Sequence, residues 1–274
     1  MSPDSNAPST DGMPGSTSST PSTPFHIHLD ETLEELPVTQ LIHAFSLPDR
    51  TRCQWGKTDR CTVFDLRSEK AGMRFQFDSE HCIRASRASE PVQLSFGLWM
   101  AYNWLACRMQ KVCLHASCIT YQGESLLFIG ESGTGKSTQS QLWKKAFPGS
   151  VELLNDDSPV VDANPYRDES VRCHVYGSPW SGKTPCYKQE RHPLKAIVKI
   201  IQAPANRITR LQGTEAITNL LPSFPPALCR DASLTAHYLD MTDHLLKTTP
   251  LYRLECLPDI SAAQLCHHVI FQAQ

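Results

Sequence analysis

Eight consecutive residues, Gly130-Glu131-Ser132-Gly133-Thr134-Gly135-Lys136-Ser137, fit the spacing G-x-x-x-x-G-K-[ST]. Glycines let a backbone approach a phosphate closely, successive N–H groups face its oxygens, and a lysine supplies positive charge. Ser137 carries the hydroxyl that can hold a magnesium ion bridging two phosphates, and Thr138 follows it. The constrained positions arise by chance in roughly one chain in a hundred of this length. "SLLFI" before the motif reads as a strand and "TQSQLWKKA" after it as a helix, which is the setting a phosphate-binding loop needs.

Phosphoryl transfer also calls for a carboxylate that holds the metal, and often for a base that takes the proton of the attacking hydroxyl. "LLNDD" places Asp156 and Asp157 after an apolar strand, 19 and 20 residues beyond Ser137. Side chains alternate along a strand, so only one of the two faces the loop unless the strand ends there. In isolation Asn-Asp-Asp-Ser-Pro is ordinary turn chemistry; beside a phosphate loop it reads as functional. There is no Asn-Lys-x-Asp element, so a typical GTPase is not expected.

Other candidates carry weaker signals. Lys183 sits in a Gly-Ser loop after Trp180, where it could swing onto a phosphate while the indole stacks on a base; a surface lysine and a packing tryptophan explain the same residues equally well. Arg207 and Arg210 in "ANRITRL" could neutralise charge, but a solvated loop is favoured there. Cys113, His115 and Cys118 lie close in sequence, and His26 and His28 would share a strand face. No second ligand pair follows at zinc-site spacing, so zinc ranks below buried cysteines and a solvent-facing strand.

The elements that must position these residues follow from patterning. Residues 1–24, almost entirely Ser, Pro, Thr, Gly, Asp and Asn, have too little apolar surface to offset the entropy of ordering and are expected to form a disordered tail. A small β-rich region is expected over 25–95, with strands at 25–29, 61–66 and 73–77. A larger domain around the phosphate loop is expected over 96–274. Apolar spacing predicts a buried helix over 91–110. Strands are expected at 112–121 and 125–130 around the turn Gln122-Gly123, then a helix over 136–147. A buried strand at 151–161 turns acidic at its end, and a strand opening 173–187 passes into a loop. Strands at 194–203 and 251–257 and helices at 213–221, 231–247 and 259–272 complete the chain, the last capped by Asp259. Strands and helices mixed around such a loop indicate an α/β core.

The 274 residues carry a formal net charge of -2, 40% hydrophobic and 20% charged residues, and eleven cysteines without a C-x-x-C pair. Neither nucleic acid nor a membrane is expected as a partner, and the N-terminus lacks the charge and apolar core of a secretory signal. Reduced cysteines and a cytoplasmic location are expected.

With both motifs in view, the chain resembles the catalytic domain of HPr kinase/phosphorylase and the related phosphoenolpyruvate-carboxykinase-like proteins. The likeness runs from about Lys111 to the C-terminus, through "LHASCI" (114–119), "GESGTGKST" (130–138) and "LLNDD" (153–157). "YGSPWSGK" (176–183) and "PLYRLECLPD" (250–259) look like the standalone bacterial HPr-kinase-like subgroup. The resemblance implies an α/β fold with a P-loop-containing HPr kinase/carboxykinase-like core and a small β-rich N-terminal part. It implies ATP and Mg²⁺ as cofactors, with Gly130, Glu131, Ser132, Gly133, Thr134, Gly135, Lys136, Ser137 and Thr138 around the nucleotide. It further implies His115 near the reaction centre, although its small or apolar strand neighbours Leu114, Ala116 and Cys118 also suit a core histidine. It implies Asp156 as proton acceptor and Asp157 with Ser137 at the metal, and Lys183 is added as a catalytic candidate. The HPr kinase signature that follows the acidic pair is missing, "GSPWSGK" standing in its place, and the N-terminal part has no counterpart in HPr kinase. Fold and ATP chemistry therefore carry over better than the substrate. A carboxykinase proper is not expected, because its arginine set and metal-binding Lys/His pair are not found.

The expected activity is ATP-dependent transfer of phosphate to a hydroxyl, a serine of a protein or peptide or a small molecule. The alternative is a nucleotide-binding regulatory or assembly module without transfer. The expected partner is that acceptor, with a second copy of the chain as a further candidate.

Overall fold

The computed structural model describes residues 26–30, 33–34, 36–78, 82–87 and 90–272. The expected tail, residues 1–24, lies outside them. Six short segments, β1 (His26–Asp30), β2 (Gln40–Ser46), β3 (Arg52–Lys57), β4 (Thr62–Arg67), β5 (Gly72–Phe77) and β6 (Cys82–Ser86), form one sheet in the order β1-β6-β5-β4-β3-β2. The neighbours from β2 to β6 are antiparallel, and β1 joins β6 in parallel. Alternation sorts the side chains: Cys53, Trp55, Phe64, Leu66, Met73, Phe75, Ile83 and Ala85 are buried on one face.

Helix α1 (Pro91–Arg108) lies on that face. Gly97 allows the close approach, since a Cβ there would lie 2.0 Å from the Phe75 ring. The expected domain boundary at 95–96 falls inside α1, and one apolar cluster runs from Phe75 through Met100 and Leu105 to Leu127 and Leu154.

The second sheet contains β7 (Lys111–Cys113), β8 (Ala116–Tyr121), β9 (Glu124–Ile129), β10 (Val151–Asn155), β11 (Val160–Asp162), β12 (His174–Tyr176), β13 (Arg191–Gln202), β14 (Arg207–Leu211) and β15 (Leu251–Cys256). Its strands run both parallel and antiparallel, so the chain is α/β with mixed pairing. Helices α2 (Lys136–Ala146) and α5 (Ile260–His267) cover one face, where Trp143, Ala262 and Cys266 pack on Phe128, Val198 and Leu254. On the other face lie α1, α3 (Gly213–Leu220) and α4 (Ala232–Thr248). Among the described residues no helix is long and apolar enough to cross a membrane.

Local chemistry accounts for several boundaries. Gln122 and Gly123 both take positive φ, 51° and 78°, as a two-residue hairpin requires, and this turn sets the β8–β9 register. Asp259 caps α5 by accepting from Ala262 N at 3.1 Å. Past His267 the coil widens into a π-helical turn over His268–Gln272.

Three expectations need correction. The strand expected over 112–121 is two, β7 and β8, broken at Leu114 and His115, because the two halves pair with different neighbours. The strand expected over 151–161 is likewise β10 and β11, separated by the acidic turn. Residues 207–211, expected as a solvated loop, form β14, paired with β15 from Arg207↔Glu255 to Leu211↔Leu251.

One buried group ties the first sheet to the helices. Asp231, 1% exposed, caps α4 by accepting from Ser233 N at 3.0 Å, and its other oxygen accepts from the indole N–H of fully buried Trp55 at 3.0 Å. Asp231→Ala removes the cap, about 0.5–2 kcal/mol, and leaves a buried donor unpaired, about 1–3 kcal/mol. A loss of about 2–4 kcal/mol in urea unfolding is expected; an unchanged midpoint would contradict this linkage.

Candidate functional site

The paired breaks in the second sheet build the site. β7–β8 and β10–β11 run side by side and are interrupted at the same level. Across the gap Leu114 N donates to Pro159 O at 3.1 Å and Ala116 N to Asp157 O at 3.1 Å, while His115 N donates to Ser223 O at 2.7 Å. The backbone thereby holds His115 against the acidic turn. Its Nδ1 lies 3.6 Å from Asp157 Oδ1.

The Gly130–Ser137 loop leaves β9 beside them. Gly130, Gly133 and Gly135 have φ of 155°, 82° and 108°, values that side chains disfavour. At Gly130 a Cβ would sit 2.5 Å from Thr134 Oγ1 and 3.3 Å from Ile200 O. The Thr134 hydroxyl donates to Glu131 O at 2.8 Å, which folds the loop on itself. Gly135 precedes α2, and no side chain caps the helix there, so its first N–H groups face the loop uncapped. Glu131, Ser132, Ser137 and Thr138 are exposed.

Lys136 is buried, and its ammonium donates to Gly130 O at 2.9 Å and Glu131 O at 3.1 Å. Its third contact is His115 Nε2, at 2.9 Å. An ammonium is donor-only, so Nε2 must accept, which assigns the proton to Nδ1, the nitrogen facing Asp157. Burial lowers the Lys136 pKa from its ordinary value; the charges of Asp157 and Asp156 oppose that, and Lys199 adds to it.

The two acidic residues differ in their surroundings. Asp156 Oδ1 accepts from Ser117 Oγ at 2.6 Å, and Ser117 in turn lies 2.6 Å from Ser140 Oγ on α2. Its other oxygen accepts from Thr184 Oγ1 at 2.8 Å. Asp157 borders a groove of 280 Å³ with Trp99, His115, Pro222, Phe224 and Pro225. The buried Asn155 shapes the turn: its Oδ1 accepts from Asp157 N at 3.0 Å and Ser158 N at 2.8 Å. Its amide nitrogen donates to Trp180 O at 3.1 Å and Ser178 Oγ at 3.2 Å, drawing the 177–188 loop over the acidic pair. On the opposite side of the glycine loop, a hollow of 410 Å³ is bordered by Ser132, Gly133, Lys199 and Gln202.

No family model matches this chain, and no curated protein matches it.

The structure brings together Gly130–Ser137, His115, Asp156 and Asp157. Lys183 is exposed, and its neighbour Gly182 packs against Asp157. Trp180 packs on Tyr102 with ring centroids 4.9 Å apart. Arg207 and Arg210 are exposed on β14, and Arg207 faces Glu255 at 3.8 Å. Cys113 and Cys118 are buried, and burial pushes both thiols far above the usual cysteine value, which disfavours thiolate ligation. Among the described residues no group of three His, Cys, Asp or Glu side chains is placed to hold a metal. A magnesium site of the phosphate-bridging kind needs only one or two carboxylates besides the phosphates, and Asp157 with the exposed Ser137 hydroxyl fits that smaller donor set.

Ser117, Asn155, Thr184 and Lys199 were not singled out from sequence. Asn155 had a readable signal, since an Asn directly before Asp-Asp is a residue that hydrogen-bonds backbone two positions on. The other three owe their place to strand pairing and loop packing over long sequence separations.

Proposed function

We propose that the chain is an ATP-dependent phosphotransferase of the HPr-kinase-like type. The observation that carries this reading is the Lys136 ammonium, held by two loop carbonyls and in contact with a histidine whose other nitrogen faces Asp157. A glycine loop, its lysine and an acidic pair thus form one site. The Gly130–Ser137 loop and Lys136 would hold the triphosphate, and Ser137 and Asp157 the magnesium ion, which supplies charge neutralisation of the phosphates. Asp157 suits the metal because both Asp156 oxygens accept from protein hydroxyls, whereas the Asp157 carboxylate faces His115 beside the lysine. Asp156 would accept the proton of the attacking hydroxyl, and His115 would orient Lys136. The acceptor would approach along the groove between Trp99 and Pro225, whose apolar walls favour a hydroxyl carried on a peptide or another partly apolar molecule over a bare sugar. A cytoplasmic setting, where ATP and magnesium abound, accompanies this reading.

One observation favours the alternative, a nucleotide-binding regulatory or assembly module: both Asp156 oxygens are already engaged by hydroxyls of the protein.

Calorimetric titration with Mg-ATP, Mg-ADP and AMP tests the binding half of the proposal. ATP and ADP should bind and AMP should not, because the contacts are to the terminal phosphates. Equal binding of AMP, or no binding of ATP, would remove the phosphate-loop assignment. Slow Mg-dependent hydrolysis of ATP by water separates the kinase from the module.

A further inference from the structure

The loop that closes over the acidic pair is firmly built. Gly177 and Lys188 pinch its base, where a Cβ on Gly177 would lie 2.1 Å from the Lys188 carbonyl. Asn155 holds its Ser178 and Trp180 backbone carbonyls, and the Cys186 thiol lies 3.2 Å from Leu153 O. At its tip Gly182 takes a φ of +62°, and a Cβ there would meet Asp157 Cβ at 3.1 Å. The outcome is a partly exposed hydroxyl, Thr184 Oγ1, donating to Asp156 Oδ2 at 2.8 Å.

A nucleophile and its base within 2.6–3.2 Å of one another is the arrangement of an activated hydroxyl. Ser117 also donates to Asp156, but it is fully buried beneath the carboxylate and shared with Ser140. Among the described residues Thr184 is therefore the one reachable hydroxyl on this carboxylate. An external acceptor has to displace it before it can surrender its proton to Asp156.

We propose that Thr184 is itself a phosphate acceptor, modified in cis at Asp156, so that the chain carries an autophosphorylation site on the loop covering its own reaction centre. The proposal rests on the kinase reading above. In the step, the bond between Thr184 Oγ1 and the γ-phosphorus forms. The bond from that phosphorus to the β,γ-bridging oxygen breaks, and the nucleoside diphosphate leaves with its electron pair. The hydroxyl proton passes to Asp156 Oδ2. The product bears a dianionic phosphate beside Asp156 and Asp157, and like-charge repulsion then drives the loop off the acidic pair. Asp156 is then free of the Thr184 hydroxyl, so modification would switch the enzyme from its own loop to an external acceptor.

The test incubates the full chain with Mg-ATP labelled in the γ-phosphate, followed by tandem mass spectrometry, with Mg-ATP binding and hydrolysis measured in parallel. One phosphoryl group on Thr184 is expected. It should be absent from Thr184→Val and Asp156→Asn, and should move to the new hydroxyl in Thr184→Ser, which keeps the fold in play if the valine variant misfolds. The labelling rate per molecule should not change on dilution. A wild-type chain that hydrolyses Mg-ATP with Thr184 unmodified overturns the proposal and leaves the kinase reading standing. Label that persists on Thr184 in Asp156→Asn overturns transfer at Asp156 and removes Asp156 as the base of the kinase reading too. A rate that rises in proportion to protein concentration overturns transfer in cis. A wild-type chain that does not bind Mg-ATP removes both.

Discussion

Asp156→Asn is expected to retain Mg-ATP and to lose turnover by roughly 10²–10⁴-fold, the contribution of a well-placed general base. The amide keeps the size of the carboxylate, and its oxygen can still accept from Ser117 or Thr184, so the surroundings at 2.6 and 2.8 Å should hold. What disappears is basicity, together with one negative charge near bound phosphates. ATP binding should therefore persist or tighten while kcat falls, a split that structural damage does not produce. Mg-dependent hydrolysis by water is the assay available before an external acceptor is known. Turnover within a few-fold of the wild type would exclude Asp156 as the base. The companion variant Asp157→Asn should lower turnover and magnesium affinity together, because its carboxylate is assigned to the metal.

Lys136→Ala should weaken Mg-ATP binding by about 10²–10⁴-fold, from the loss of two charge-assisted contacts at about 1.5–3 kcal/mol each. The fold should survive. The lysine is buried and its charge is disfavoured there, so its removal relieves a desolvation cost, although Gly130 O and Glu131 O lose a donor. Calorimetry and a urea midpoint measured on one preparation separate the two effects. Equal ATP affinity in both proteins would mean that phosphate is bound elsewhere.

Local chemistry made part of this site readable. A glycine spacing, an apolar strand and an amphipathic helix are neighbours in sequence, so β9, the loop and α2 follow from one short stretch. Gln122-Gly123 and the Asp259 cap are equally local. The break at Leu114–His115 was not readable, because apolar character is continuous through "VCLHASCITY". The strand ends there only because β7 and β8 find different partners. The break at the acidic turn, by contrast, carried turn chemistry from Asn155 to Ser158 that the strand reading of 151–161 passed over. β14 escaped notice for a related reason. Arg207, Thr209 and Arg210 alternate poorly with apolar residues, and an edge strand need not bury a face. Thr184 sits in a loop whose landing point depends on Asn155, far away in sequence, and no spacing rule reaches that distance.

The paired interruption also orders the assembly of the molecule. Closing a contact between distant segments costs more chain entropy than forming a neighbouring turn, so local structure forms on easier terms than long-range pairing. The glycine loop with its strand and helix is local, whereas the contact of His115 with Asp157 exists only after β7–β8 has zipped against β10–β11. A nascent or partly unfolded chain can thus form the strand, glycine loop and helix while its acidic residues are still apart, and the capacity for chemistry waits for long-range pairing.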